Sequence, residues 1–256
     1  MELGVKTDPI LVIRGLCASF TDRNGVLHVL EDISFEVPKG QFLCIVGPSG
    51  SGKSTLLRVL AGLLNPSSGV VEAADVRVAG PQPNLGIVFQ DANLMGWRTV
   101  RENIGLPLEL KGLSNGASAR QIESMIELIG LQGFEETLPA DLSGGMAQRV
   151  AIARALISEP DILLMDEPFG SLDAITRERM GEELLTIWGQ QHKTIVMVTH
   201  DISEAVYLGD RVLVLSPRPA KIRLDLQIDL PRPRMTESRY TKEFGELASK
   251  IRGAIL

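Results

Sequence analysis

The chain has 256 residues, 44% hydrophobic, 23% charged and 4% aromatic, with a net charge of -6 and a pI near 5.2. These values suit one large α/β domain or a core carrying an inserted subdomain, and exclude a disordered or repetitive chain. The acidity argues against a general nucleic-acid binder. No run approaches the ~18 apolar residues of a bilayer span. The opening MELGVKTDPI lacks the charged and apolar regions of a signal peptide, so a cytoplasmic chain is expected.

Residues 10–20 and 28–37 alternate loosely and predict two strands joined by the turn DRNG. QFLCIVG, 41–47, is continuously apolar and predicts a strand buried on both faces. A helix follows in KSTLLRVLAGLL, broken by NPSSG, and short β pieces run from Val70 to Gln90. Over 91–160 the pattern turns helical. TVRENIGLPLEL reads as a helix interrupted at Pro107, RQIESMIELIG places Ile122, Met125, Ile126 and Ile129 on one face, and GGMAQRVAIARALIS continues as helix. Buried strands return at DILLMD, TIVMVT and RVLVLS, and a proline-punctuated segment from Pro217 leads to an amphipathic helix over 237–255. Cys17 and Cys44 lie in strand-like runs without metal-ligand spacing and read as buried thiols.

GPSGSGKST, Gly47 to Thr55, follows a strand and opens a helix, the context a phosphate loop requires. Gly47, Pro48, Ser49, Gly50, Ser51 and Gly52 form the turn; its backbone amides wrap a phosphate chain at the positive end of the helix. Lys53 reaches the terminal phosphates, the Ser54 hydroxyl can ligate Mg²⁺, and Thr55 completes the motif. ILLMDE delivers Asp166 and Glu167 at the carboxyl end of a buried strand, where ligands of parallel sheets collect. Asp166 suits the Mg²⁺ shell and Glu167 the polarisation of an attacking water, with a surface acid as its plain alternative. Gln90 ends the run LGIVFQ and can touch the metal or the water. His200 ends TIVMVTH and can meet the γ-phosphate. Phe20 can stack on a base or simply fill the core.

With GPSGSGKST, VFQ, LSGGM, LLMDEP, SLD and VTHD in this order, nearly the whole chain resembles the ATP-binding subunit of an ABC transporter. The resemblance implies an α/β fold: a P-loop NTPase core of ABC type with an N-terminal antiparallel β subdomain and an inserted helical subdomain. It implies a core over 9–90 and 161–216, the insertion over about 91–160 and an extension over 217–256. It also implies ATP and Mg²⁺ as cofactors, with LSGG binding the ATP held by a second, facing copy.

Ser143 would then donate to the γ-phosphate, while Gly144 and Gly145 let backbone amides approach it. A Ser N-cap explains the serine alone. Asp173 of SLD would link the two sites across the dimer seam. Met146 stands where the family most often has glutamine; methionine at this position is familiar in the nitrate, sulfonate and taurine importer branch. That branch is also suggested by LMGWRTVRENI and HDISEAVYLGDRVLVLSPRPAKI, although it more often has proline at Gly96 and glycine at Ala220.

The implied partners are a second copy, membrane permease subunits contacted through Gln90 to Trp97, and indirectly a solute-binding protein, with no nucleic acid. The implied place is cytoplasmic, peripheral on the inner face of the cell membrane. Two rivals fit less well. An ABC-type ATPase acting on DNA or ribosomes usually carries coiled coils or fused cassettes, and a small-molecule kinase leaves LSGGM without a purpose.

Overall fold

The computed structural model describes residues 8–22, 25–113, 116–191 and 193–256, in two compact units: Met1–Gln82 with Lys193–Leu256, and Pro83–His192. The expected turn DRNG includes residues 23 and 24, which lie outside the described residues.

In the first unit, long strands β1 (Pro9–Asp22) and β2 (Gly25–Pro38) pair antiparallel, with Phe20 opposite Leu27. Strand β3 (Phe42–Val46) is buried at every position, as its unbroken apolar run requires, and leads into α1 (Lys53–Leu60). The short strands β4 (Ser68–Ala73) and β5 (Val76–Arg77) complete an antiparallel sheet in the order β2-β1-β4-β5.

The second unit opens with β6 (Leu85–Val88) and continues through α2 (Val100–Leu110), α3 (Gly116–Leu128) and α4 (Gly144–Leu156). It then forms β7 (Ile162–Asp166), which runs parallel to β6, and α5 (Ala174–Gln191). Helix α2 is not interrupted at Pro107 but runs through it to Leu110. A Thr99–Glu102 capping box secures its start, and buried Val100, Ile104 and Leu108 anchor one face, which offsets the single hydrogen bond that proline removes. Met125, Ile126 and Ile129 are buried as expected; Ile122 is half-buried, and a Cβ at Gly105 of α2 would lie 2.8 Å from its Cδ1.

The chain returns to the first unit with β8 (Thr194–Val198), α6 (Ile202–Leu208) and β9 (Arg211–Leu215). Strand β3 lies parallel to both β8 and β9, and β10 (Ile222–Gln227) adds antiparallel to β9. Cys44 is buried in β3 and desolvation raises its thiol pKa well above the ordinary value. Cys17 is only half-buried, against expectation, because β1 shifts register between Arg14 and Cys17 and its sulfur accepts from Asp32 N at 3.4 Å.

The extension ends in α7 (Lys242–Ile255), which buries Phe244 and Ile251. Between β10 and α7 the buried Arg234 donates to the carbonyls of Val206 (3.1 Å), Tyr207 (2.9 Å), Gly209 (2.7 Å) and Ile228 (3.3 Å). These include oxygens that the end of α6 would otherwise leave unmatched. Tyr207 Oη donates back to Arg234 O at 3.1 Å, and the Arg239 guanidinium sits 4.0 Å above the Tyr207 ring. Arg232 bonds Asp210, which accepts from Phe42 N at the start of β3. Burial, then the Arg232 charge, lower the Arg234 pKa to about 10, so it stays charged at neutral pH. Arg234→Met removes four hydrogen bonds to buried carbonyls and is expected to cost about 2–4 kcal/mol in urea unfolding. A loss below ~0.5 kcal/mol would show that the clasp is dispensable.

Candidate functional site

The phosphate-loop half of the site belongs to the first unit. Gly52 takes φ +106, open to glycine and strained for other residues, and a Cβ there would lie 2.6 Å from Val29 Cγ1 of β2. Gly47 is closed in another way: its Cβ would lie 2.9 Å from Leu215 O of β9. The loop is therefore pressed against β2 at Gly52 and β9 at Gly47, with no room for a side chain at either position. Helices α2, α4, α6 and α7 each carry a side-chain N-cap, from Thr99, Ser143, Asp201 and Thr241. Helix α1 begins after Gly52 without one, and the dipole of its start favours an anion. Ser51 Oγ is buried without a hydrogen-bond partner. The buried Lys53 folds over the loop, its Nζ donating to Gly47 O at 3.0 Å and Pro48 O at 3.1 Å. A loop with these donors and one cation fits a polyphosphate.

His200 is exposed two residues beyond β8, held between Thr199 and Asp201; Asp201 N donates to Thr199 Oγ1, and Asp201 caps α6 through Glu204 N. Phe20 is 40% exposed near the end of β1, so the core alternative for this ring does not hold.

The second unit holds the acidic half. Asp166 is buried at the end of β7, and Glu167 follows with φ +45, a region that non-glycine residues rarely adopt. Gly170 N closes the turn on Glu167 O at 3.0 Å. A Cβ at Gly170 would sit 3.6 Å from both Glu167 Cβ and Gln90 Nε2, so the structure brings Gln90 and Glu167 together. Within the second unit, the side-chain oxygens of Gln90 and Asp166 are of the kind that suits Mg²⁺. No group of three or more His, Cys, Asp or Glu residues fit to hold a metal occurs among the described residues.

Ser143 is the N-cap of α4, accepting from Met146 N at 3.3 Å. Gly145 packs on α5, where a Cβ would lie 3.0 Å from Thr176 Cγ2, while Gly144 is exposed and would meet only Leu172 Cδ2 at 3.6 Å. Asp173 is exposed and caps the start of α5, accepting from Thr176 N at 3.0 Å; the bonds from Thr176 hold its pKa below the ordinary carboxylate value.

Sequence reasoning missed the residues that support these groups. Gln148 of α4, buried, donates to Phe89 O at 3.3 Å, and Arg154 of the same helix donates to Ala92 O at 2.8 Å and Asn93 O at 2.9 Å. Asn103 of α2, fully buried, accepts from Met95 N at 2.8 Å and donates to Met95 O, Arg98 O and Thr99 O. The segment carrying Gln90 is thus clamped from two helices. A polar residue inside an apolar helical stretch was the available signal.

The family model for ABC transporters matches residues 30–170. An uncharacterized ABC transporter ATP-binding protein of Methanocaldococcus jannaschii is 46% identical over 94% of this chain and 89% of its own length. This chain belongs to the ABC transporter family. An aliphatic sulfonates import ATP-binding protein of Bacillus cereus is 44% identical, covering 91% of this chain and 90% of its own length. For a nitrate import ATP-binding protein of a Synechocystis species the identity is 44% and both coverages are 95%. The fold matches a solved ATP-binding cassette, dimeric and bound to ADP and Pi after hydrolysis, with TM-score 0.77, 30% identity, and coverage of 86% of this chain and 100% of that one. The fold class is the ABC-type α/β NTPase expected from the sequence, and the activity is ATP hydrolysis in the service of transport.

The packing separates the two signature glycines. Gly145→Ala is expected to cost about 1 kcal/mol by crowding Thr176, whereas Gly144→Ala should stay within ~0.5 kcal/mol of the parent. Urea unfolding of both variants checks this; equal losses would mean that the Thr176 contact is not what separates them.

Proposed function

We propose that the chain is the ATP-hydrolysing subunit of an import system for a small anionic solute of the nitrate, sulfonate or taurine type. It works with a separate membrane permease and, through it, a solute-binding protein. The observation that carries the ATPase reading is the phosphate loop: an uncapped helix start, a buried unpartnered Ser51 hydroxyl and Lys53 folded over the loop. The solute class rests on the sulfonate and nitrate relatives, each covered over nine-tenths of its length or more.

In this reading the amides of 47–55 and Lys53 bind the phosphates, and Phe20 stacks on the base. Ser54, Gln90 and Asp166 would hold Mg²⁺, which neutralises phosphate charge when bound. Glu167, held in a strained turn beside Gln90, orients and deprotonates the attacking water. His200 contacts the γ-phosphate. Ser143, Gly144, Gly145 and Met146 approach the ATP of a second copy in a head-to-tail dimer, with Asp173 at the seam. Ile175, 82% exposed two residues after Asp173, is apolar surface that such a seam would cover. The segment Gln90–Trp97 docks on the permease: Asn103 and Arg154 hold it in a fixed shape, and Trp97 is 77% exposed on it. Among the described residues no helix is long and apolar enough to cross a membrane, so attachment to the inner face of the membrane would come through the permease.

Glu167→Gln is expected to lower ATPase turnover about 10²–10⁴-fold. ATP affinity should stay near the parent value, and an ATP-dependent dimer should accumulate on size exclusion. Turnover near the parent level would remove Glu167 from catalysis.

Phe20→Ala should weaken ATP binding by about 1–3 kcal/mol. Since the ring is exposed, unfolding free energy should change by less than ~1 kcal/mol. Unaltered nucleotide affinity would take the ring away from the base.

A further inference from the structure

Arg218 lies in SPRPAK, a segment outside the motifs assigned to ATP chemistry, yet its guanidinium rests on the phosphate loop. A Cβ at Gly50, which has φ +73, would lie 3.0 Å from Arg218 Nη2. No hydrogen bond or ion pair joins this guanidinium to another described residue, and the side chain is exposed. Its backbone, by contrast, is tightly placed. Ser216 N donates to Lys221 O and Lys221 N to Ser216 Oγ, both at 2.9 Å, closing the turn on itself. Ala220, fully buried, donates to Val29 O at 2.8 Å and accepts from Glu31 N at 3.0 Å, which ties the turn to β2. Lys221 adds an ion pair with Glu31 at 2.9 Å. Val29 is also the residue that closes on Gly52, and Leu215, just before the turn, is the one that closes on Gly47. The same framework therefore grips the loop at both ends and aims one cation at its middle. Pro217 and Pro219 flank Arg218 and fix φ on either side.

Holding an uncompensated cation against a loop whose amides already point at an anion site adds charge repulsion unless an anion arrives. We infer that Arg218 is a second cationic contact for the bound nucleotide, meeting its terminal phosphate from the Gly50 side and favouring ATP over ADP. The inference rests on the reading that loop 47–55 holds ATP. The guanidinium, unlike Lys53, is exposed, so its contribution is screened by salt.

The test is nucleotide titration of the full chain by calorimetry in EDTA, which prevents hydrolysis, with ATP, ADP and AMP at low and high ionic strength. Arg218→Met keeps the stem and removes the charge; it should weaken ATP about tenfold at low salt. It should weaken ADP less, leave AMP unchanged, and lose most of the effect at high salt. Arg218→Lys should recover part of the affinity for ATP. The melting temperature of the nucleotide-free protein should not fall, since no hydrogen bond or ion pair of the fold is removed. Lys53→Met is the control for the underlying reading. If it leaves ATP affinity intact, the loop assignment fails and the Arg218 assignment falls with it. If Lys53→Met weakens ATP while Arg218→Met changes nothing, or weakens all three nucleotides equally, the Arg218 inference alone is overturned.

Discussion

A helix start leaves backbone amides that need acceptors, and at α1 the chain withholds a side-chain cap while supplying one at α2, α4, α6 and α7. Much of the first unit can be understood as the frame that keeps this one start open. β3 is buried at every position, so the loop leaves the sheet from a fixed point. β2 and β9 close on Gly52 and Gly47 so tightly that neither position has room for a side chain. Lys53 holds the loop by its own carbonyls. In the proposed reading a phosphate chain takes the place of that cap.

The second unit solves a different problem, keeping Glu167 and Gln90 beside each other on chain that is not regular structure. Glu167 sits at positive φ, a strain on the order of 1–3 kcal/mol that the surroundings must enforce. Buried Phe169 and the Gly170–Glu167 hydrogen bond fix the turn after it. Gln148 and Arg154, both from α4, fix the segment on either side of Gln90. Because Ser143 caps that same helix, one rigid rod carries the signature at its start and the support of Gln90 along its length. A shift of α4 along its axis would move both together.

Local patterns were legible and non-local ones were not. The phosphate loop, the strand end bearing Asp166, and the apolar face of α3 follow from spacing alone, because glycine, lysine and apolar period act within a few residues. Pro107 misled because proline is penalised locally, whereas the capping box and the buried face that outweigh it are spread over the helix and its neighbours. Cys17 misled because a register shift in β1 changes which positions point inward, and a shift leaves no mark in an alternating pattern. Asn103, Gln148, Arg154 and Arg234 all bond backbone carbonyls, which every residue carries. Their partners therefore have no signature in sequence, even though Asn103, Gln148 and Arg234 are themselves buried.

Two glycines between Ser143 and the body of α4 pose the sharpest remaining question of local chemistry. Capping accounts for Ser143, and the close approach of Thr176 accounts for Gly145, both within one chain. Neither reaches Gly144. It is exposed, has ordinary van der Waals distance to Leu172 and no positive φ, and glycine at a helix start is no better a helix former than alanine. A glycine that the folded chain does not require, at a helix N-terminus whose dipole favours negative charge, is what the proposed dimer calls for. In that proposal the ATP of a facing copy is the anion, and a glycine at 144 lets the backbone amides of this turn approach it.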